Sequence, residues 1–459
     1  MARTMATLAG GRRLSDYVTL GVLSLTVPTA LVDEVLAETG RQSRRYRQLP
    51  ARLVVYYVMA LALFAQASSG EVLRCLLEGV RWLRWRGEGV RLASKAALTK
   101  ARVRLGPAPL RLLYGRIARP LAPATVPGAW YRGRRLVSLD GTTLEVPDTP
   151  DLEARFGRPK ASRGTSSFPQ LRLLGLMEIG TRALFRVVFD RYDVGEVTLA
   201  GRILDQLQAG MLCLADRGFV GFALWQAASA TGADLLWRVR RNQRLPCWQR
   251  LPDGSYLSRL HASAKDRRQD RNGLVVRVIE YRLTGLPKAE PLYRLITTLL
   301  DPVAAPAAEL AALYHERWEA ETAFAELKVT LPGDRLMLRS RRVDLVEQEL
   351  YGLLLVHFAL RRLMVEASQQ TGGDPDTLSF LHTVQVVRRH LPFHAACSPS
   401  APSADDRPDP AGDPGRARRA AATARQPPGG QAQDEQLPDQ GPRQGRAPDT
   451  GADRRRAAH

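Results

Sequence analysis

One stretch constrains this chain more than any other: Tyr314–Lys328, read YHERWEAETAFAELK. It holds no Gly or Pro and is rich in Ala, Glu and Leu, residues that favour helix. Tyr314 and Arg317 stand seven and four residues before Glu321, and Lys328 stands seven after it. At about 3.6 residues per turn these offsets place all four on one narrow strip. One carboxylate therefore stands in a row of two cations and a phenol, a setting that suits a metal ion held beside a polyanion. Taken alone, the stretch also reads as an i,i+4 ion pair on a solvated face, with Trp318, Phe324 and Leu327 as the buried stripe. Carboxylates elsewhere in the chain decide between these readings.

Two candidates lie upstream. Leu136–Leu139 is a short apolar run with strand character that ends in Asp140-Gly141-Thr142, and Met211–Ala215 is another that ends in Asp216-Arg217-Gly218. An Asp placed where a buried strand ends can project into a site, although Asp before Gly is also common in turns. Between the two runs, Leu171–Ile179 and Leu184–Phe189 flank Gly180-Thr181 as a hairpin, and Val197–Leu207 reads as helix. Gly221–Ser229 (helix) and Asp234–Val239 (strand) follow. Three hairpin-linked strands followed by βαβ units predict a mixed α/β sheet with helices. The ribonuclease-H-like fold has this order, with acids from its first and fourth strands meeting a third acid on a late helix. Two hard cations held by such acids can activate an attacking oxygen and stabilise a leaving one at a phosphodiester. Mg²⁺ keeps several waters, so a few carboxylates suffice. His315 reads as a solvated helix residue rather than a ligand.

The flanks agree with a polyanion as partner. Formal net charge is +21, which points to nucleic acid or an acidic surface and says nothing about enzymology. The four cysteines are far apart with no CxxC, which argues against a disulfide framework or a zinc ribbon and fits a reducing cytosol. The N-terminus lacks the apolar core of a signal peptide, and Leu53–Ala65 is too short to span a membrane, so it reads as a buried helix. Residues 1–125 read as a helical DNA-binding domain, with helices over Pro28–Gly40, from Pro50 to Ser69-Gly70, over Glu71–Trp85, and over Ser94–Gly106. The last carries Lys95, Lys100, Arg102 and Arg104 as candidate DNA contacts, though a solvated basic face is the alternative. Pro120–Gly128 reads as a linker.

Residues 130–239 and 306–392 then form the catalytic core, and 240–305 a β-rich insertion with strands over Ser255–Leu260, Leu274–Tyr281 and Leu292–Leu299. The insertion region is dense in Arg, from Arg238 to Arg259, with Trp237 and Trp248 interleaved, a pattern that suits frayed or flipped DNA ends. Trp237 reads as packed, and Trp248 is left open. Val343–Ala367 and Leu378–His390 read as helices. After Pro392 the composition turns to Pro, Ala, Gly, Arg, Asp and Gln, so residues 395–459 read as a disordered tail, and a shift of reading frame near Leu391 would account for the change.

Together these residues resemble the DDE transposases of bacterial insertion sequences, in the insertion-sequence-four group. The group's signature is Tyr, two residues, Arg, three, Glu, six, Lys. Tyr314, Arg317, Glu321 and Lys328 meet it without departure. Asp140 in DGTT, Asp216 in DRGF, FPQLRLLGL (Phe168–Leu176), and RSR with ELYGLLL (Arg339–Leu355) also look like blocks of the group, and the resemblance runs over roughly Leu20–Leu391. The tail does not look like the orderly basic end of such proteins. The resemblance implies that Asp140, Asp216 and Glu321 bind two Mg²⁺ ions, with Mn²⁺ as substitute. It implies that Tyr314, Arg317 and Lys328 contact DNA phosphates near the element's end. The implied reaction is hydrolytic nicking at terminal inverted repeats, attack of the freed 3′-hydroxyl, and joining to target DNA by a homodimer. The setting would be the bacterial cytoplasm and nucleoid, with no membrane. Two other readings stay open: a decayed or repurposed DNA-binding copy that occupies element ends without catalysis, and a ribonuclease-H-like nuclease without strand transfer.

Overall fold

Proline and serine set the starts of the N-terminal helices. Pro28 precedes α1 (Thr29–Glu38), Pro50 precedes α2 (Ala51–Leu63), and Ser94 caps α4 (Lys95–Leu105) by accepting the Ala97 N–H. Each is a residue that a first helical turn tolerates or needs at its free N–H groups. Between them lies α3 (Ser69–Arg81), and α5 (Ala108–Ile117) follows Gly106. This computed structural model describes residues 21–43, 49–81, 93–161, 164–165, 168–283 and 290–394 of the chain. The end of the helix expected over Glu71–Trp85, part of the basic link after Gly40, and the tail 395–459 lie outside the described residues.

The sheet begins with β1 (Trp130–Tyr131) and β2 (Arg134–Glu145). After α6 (Pro150–Phe156) and a small ladder of β3 (Lys160–Ala161) and β4 (Gly164–Thr165) come β5 (Gln170–Glu178) and β6 (Ala183–Arg191). Then follow α7 (Glu196–Gly201), β7 (Met211–Ala215), α8 (Phe222–Ser229) and β8 (Asp234–Arg238). The strands lie in the order β6-β5-β2-β7-β8. The first three are antiparallel, while β7 and β8 run parallel to β2. This is the ribonuclease-H-like arrangement expected from the order of elements. The helix expected over Val197–Leu207 stops at Gly201, with a separate 3₁₀ turn at Leu204–Gln206.

The β-rich insertion makes no sheet of its own. It comprises β9 (Gln249–Arg250), β10 (Tyr256–Leu260), α9 (Ala264–Gln269), β11 (Leu274–Tyr281) and β12 (Tyr293–Thr297). β12 pairs antiparallel with β8, and β11, β10 and β9 extend the sheet outward. Arg277 is 0% exposed where this extension turns back to the core. Its guanidinium bonds Asp253, Ser255 and the carbonyls of Leu299 and Ala305, so its charge is matched.

The chain ends its described course in helices: α10 (Ala307–Tyr314), a 3₁₀ turn (His315–Arg317), α11 (Trp318–Ala325), a π turn (Glu326–Thr330), α12 (Val343–Thr371) and α13 (Phe380–His394). One face of the sheet (Leu136, Leu144, Leu173, Leu214) shares a continuous buried cluster with α12 and the N-terminal helices. The other face (Val137, Leu139, Leu176, Cys213) packs on α7 and α8. Central strands are thus buried on both sides, which is why β2 and β7 read as continuous apolar runs rather than alternating ones. α2 is buried all round, from Leu53 to Leu63, as a core helix is. Among the described residues no helix is long and apolar enough to cross a membrane.

The β5–β6 turn is tight. Gly180 has φ +80°, and a Cβ there would lie 2.8 Å from both Ala129 N and Pro127 O. Gly180→Ala is therefore expected to cost at least about 1–3 kcal/mol from backbone strain alone, read as a lower urea midpoint.

Candidate active site

The parallel ladder of β2 and β7 brings the two aspartates together. Its last pair is Leu139 opposite Ala215, so Asp140 and Asp216 are the next residues after that pair on the two neighbouring strands. Asp140 does not end its strand, as the apolar run alone suggested. β2 continues to Glu145, because β5 pairs with it through Asp140–Gly175 and on to Glu145–Gln170. What ends at Asp140 is the pairing with β7, and that opens space beside it. Asp216 turns away from β7 in a local loop, where its Oδ1 accepts the Gly218 N–H at 2.7 Å. At Gly141 a Cβ would lie 2.8 Å from Glu196 Oε1, the end of a flexible side chain that packs over this position.

The segment that supplies the third carboxylate is helical throughout but not one helix. A 3₁₀ turn interrupts it at His315–Arg317, and it widens into a π turn at Glu326–Thr330, where Leu331 N–H reaches Glu326 O at 2.8 Å. The strip still faces the sheet. Tyr314 is buried, and its hydroxyl donates to Ala215 O, the carbonyl just before Asp216, at 3.4 Å. Arg317 Nη2 donates to Glu321 Oε1 at 2.9 Å, and its Nη1 lies 3.6 Å from Asp140 Oδ2. Lys328 Nζ donates to Thr142 Oγ1 at 3.0 Å, two residues beyond Asp140 on β2. Thr142 belongs to this neighbourhood, and its place in the DGTT block was the only signal for it.

Burial, first of all, pushes the Asp140 carboxyl up to about 6; Arg317 and the Gly141 N–H oppose the rise, while Asp216 and Glu321 add to it. Asp216 and Glu321 thus both lie close enough to act on Asp140. Burial also lowers the Lys328 ammonium, helped by Arg335, and raises the Tyr314 phenol. Among the described residues no three His, Cys, Asp or Glu side chains are placed as a closed metal-binding group. Arg317 instead bridges Asp140 and Glu321, and its guanidinium marks a position where these carboxylates accept positive charge. An all-oxygen set of acids fits a hard divalent cation rather than zinc or copper.

The other residues singled out in the sequence fall in several places. Lys95 and Lys100 are exposed on α4, and Arg104 is exposed near its end. Arg102 is a correction: it points inward, donating to Gln348 Oε1, Ser340 Oγ and Leu345 O, and so ties α4 to α12 instead of facing solvent. His315 is half-buried rather than solvated, edge-on to Tyr281 with ring centroids 5.9 Å apart. Trp318 is 63% exposed and is not part of the buried stripe, whereas Phe324 and Leu327 are. Trp237 is fully buried against Trp225, as its packed reading required. Trp248 is exposed beneath the Arg259 guanidinium, 4.6 Å from the ring centroid. Arg240, Arg241, Arg244 and Arg250 are exposed nearby.

Sequence comparison agrees with this geometry. A family profile described as Insertion element 4 transposase N-terminal matches residues 17–115, and one described as Transposase DDE domain matches residues 131–359. The transposase InsG for insertion sequence element IS4 of Escherichia coli (strain K12) is 29% identical over 375 residues, covering 80% of this chain and 82% of InsG. A cryo-EM structure of the piggyBac transposase synaptic complex with hairpin DNA is a loose structural likeness, with TM-score 0.42 and 12% identity over 85% of this chain and 88% of that one. The DDE domain carries a general dependence on divalent metal. With the N-terminal and DDE profiles matched in chain order, and the ribonuclease-H-like sheet in place, the chain belongs to the insertion-sequence-four family of DDE transposases, enzymes of DNA transposition.

Proposed function

We propose that Asp140, Asp216 and Glu321 hold two Mg²⁺ ions, replaceable by Mn²⁺, and that the chain cuts and joins DNA at the terminal inverted repeats of its own element. The observation that carries this reading is the shared end of the β2–β7 ladder, which sets two aspartates side by side, with Glu321 linked to Asp140 through Arg317. The bound ions would supply activation of the attacking oxygen and charge neutralisation at the leaving one. The chain's own residues do the rest. Arg317 can release its carboxylates to a phosphate, for which a planar guanidinium is suited. Lys328 adds a point charge beside β2. Tyr314 acts from beneath, with its hydroxyl on the peptide that leads into Asp216. Lys95, Lys100, Arg104 and the exposed arginines Arg240–Arg250 extend a basic surface for flanking DNA, and two copies of the chain would bring two ends together.

Strand joining separates this reading from a simple nuclease. Full-length protein, Mg²⁺ and a duplex with a precut terminal repeat should yield that repeat covalently joined to a supercoiled target plasmid. Nicking without any joined product would make the chain a nuclease. Binding to the repeat should weaken steeply with salt, and Lys328→Ala should lower the slope of log K against log salt by about 1, measured by fluorescence anisotropy.

A further inference from the structure

Behind the strip that carries Glu321 and Lys328 lies a group of buried charges that the cleavage chemistry does not use. Glu326 opens the π turn and is 5% exposed. Arg361 donates to it through both Nε, at 2.9 Å, and Nη2. His357 Nε2 lies 3.3 Å from the same carboxylate and Arg182 Nη1 lies 3.6 Å from it. Arg361 and His357 both come from α12 and are fully buried. Seven residues before Glu326, on the same inner strip, Glu319 accepts the Gly180 N–H at 2.6 Å. The segment is therefore fastened at two points on its inner face, to α12 and to the β5–β6 turn.

A buried ion pair usually adds little stability over apolar side chains of the same size. Stability alone therefore does not account for it. π turns are rare and cluster at functional sites, and this one begins at the fastened residue and contains Lys328, whose Nζ rests on Thr142 beside Asp140. We propose that Glu326, Arg361 and His357 are positioning residues for DNA cleavage: their buried contact holds the π turn that aims Lys328 at the end of β2, and so sets where a DNA phosphate lies against Asp140 and Glu321. The inference rests on the assignment of those acids and of Lys328 made above.

The test uses the full-length double variant Glu326→Leu/Arg361→Met, which removes both charges together and so strands neither. The thermal midpoint stays close to wild type and affinity for a terminal-repeat duplex falls no further than in Lys328→Ala, while single-turnover cleavage in Mg²⁺ slows by about a hundredfold, the cost of a misplacement near 1 Å. Lys328→Ala then slows the wild type but has little further effect in the double variant, because the two act through the same contact. Should the double variant not fold, His357→Leu takes its place; it removes one contact to Glu326 without stranding a charge, and it shows the same coupling to Lys328→Ala with a smaller loss. A folded variant that cleaves at the wild-type rate, or losses that multiply in full with Lys328→Ala, overturns the proposal. A wild type that does not cleave, or one indifferent to Lys328→Ala, overturns instead the assignment on which it rests.

Discussion

Asp216→Asn is expected to lower the rate of end cleavage on the order of 10³-fold or more, with affinity for terminal-repeat DNA and the urea midpoint nearly unchanged. Asp216 lies on the solvent side of the β7 end, half-exposed, and its one fixed hydrogen bond is to the Gly218 N–H two residues on. The carboxamide keeps an oxygen for that bond, so the fold loses little. It does not keep the negative charge that a hard cation requires. Asp140→Asn should give the same loss of cleavage, with a fold that is held at least as well, because burial already works against the charged form of that group. Glu321→Gln, the most exposed of the three at 44%, should be the cleanest. Its side chain keeps an acceptor for Arg317 and gives up only charge. Gel-based cleavage of a labelled duplex beside anisotropy binding measures both halves of the prediction.

Arg361→Met alone has the largest expected effect on stability, a loss of about 3–5 kcal/mol. Glu326 would keep its negative charge in a buried site, losing its two-point partner and left with Arg182, 3.6 Å away and shared with Asp376, and a His357 that burial holds below its usual range. The native carboxyl is a balance of opposed effects. Burial pushes it up, and Arg361, His357 and Arg182 together outweigh burial and hold it at about 2. The sign of the pH effect follows. A depressed folded value means that the contribution is complete above the ordinary glutamate range and is lost as pH falls from about 4.5 towards 2. Chemical unfolding followed across that window should show wild type losing stability where the double variant Glu326→Leu/Arg361→Met loses much less. The single variant should be destabilised at every pH above it.

The strip of Tyr314, Arg317, Glu321 and Lys328 was legible because helical spacing is a local property, and it survives the 3₁₀ and π turns. The turns themselves were not legible, since a buried carboxylate–guanidinium contact to α12, more than thirty residues away, holds the wider one. Glu319 and Glu326 share the spacing of seven that marked the outer strip. That spacing was available as a signal for a second, inward strip, but long-range partners alone tell a buried glutamate from a solvated one. Asp216 was found where its strand stops. Asp140 was found for a partly different reason from the one its apolar run suggested, because only the register of β7 against β2 shows what ends there. α5 was missed: Gly106-Pro107 reads as a helix stop, yet Pro107 stands just before the next helix and Pro109 lies in its first turn, where proline is equally a start signal. The inward turn of Arg102 had no local signal, since the groups that receive it lie on and before α12. The insertion strands were placed closely, but that β12 would pair with β8 and lengthen the core sheet depends on tertiary pairing that composition and alternation do not encode.

Full-length protein bound to a precut terminal-repeat duplex would be titrated with Mn²⁺ and followed by electron paramagnetic resonance of the free ion. Close to two ions per chain are expected, with affinity reduced at least about tenfold, as the loss of one charged oxygen ligand implies, in each of Asp140→Asn, Asp216→Asn and Glu321→Gln. Wild-type Mn²⁺ binding retained in all three variants would contradict the role of these acids as metal ligands.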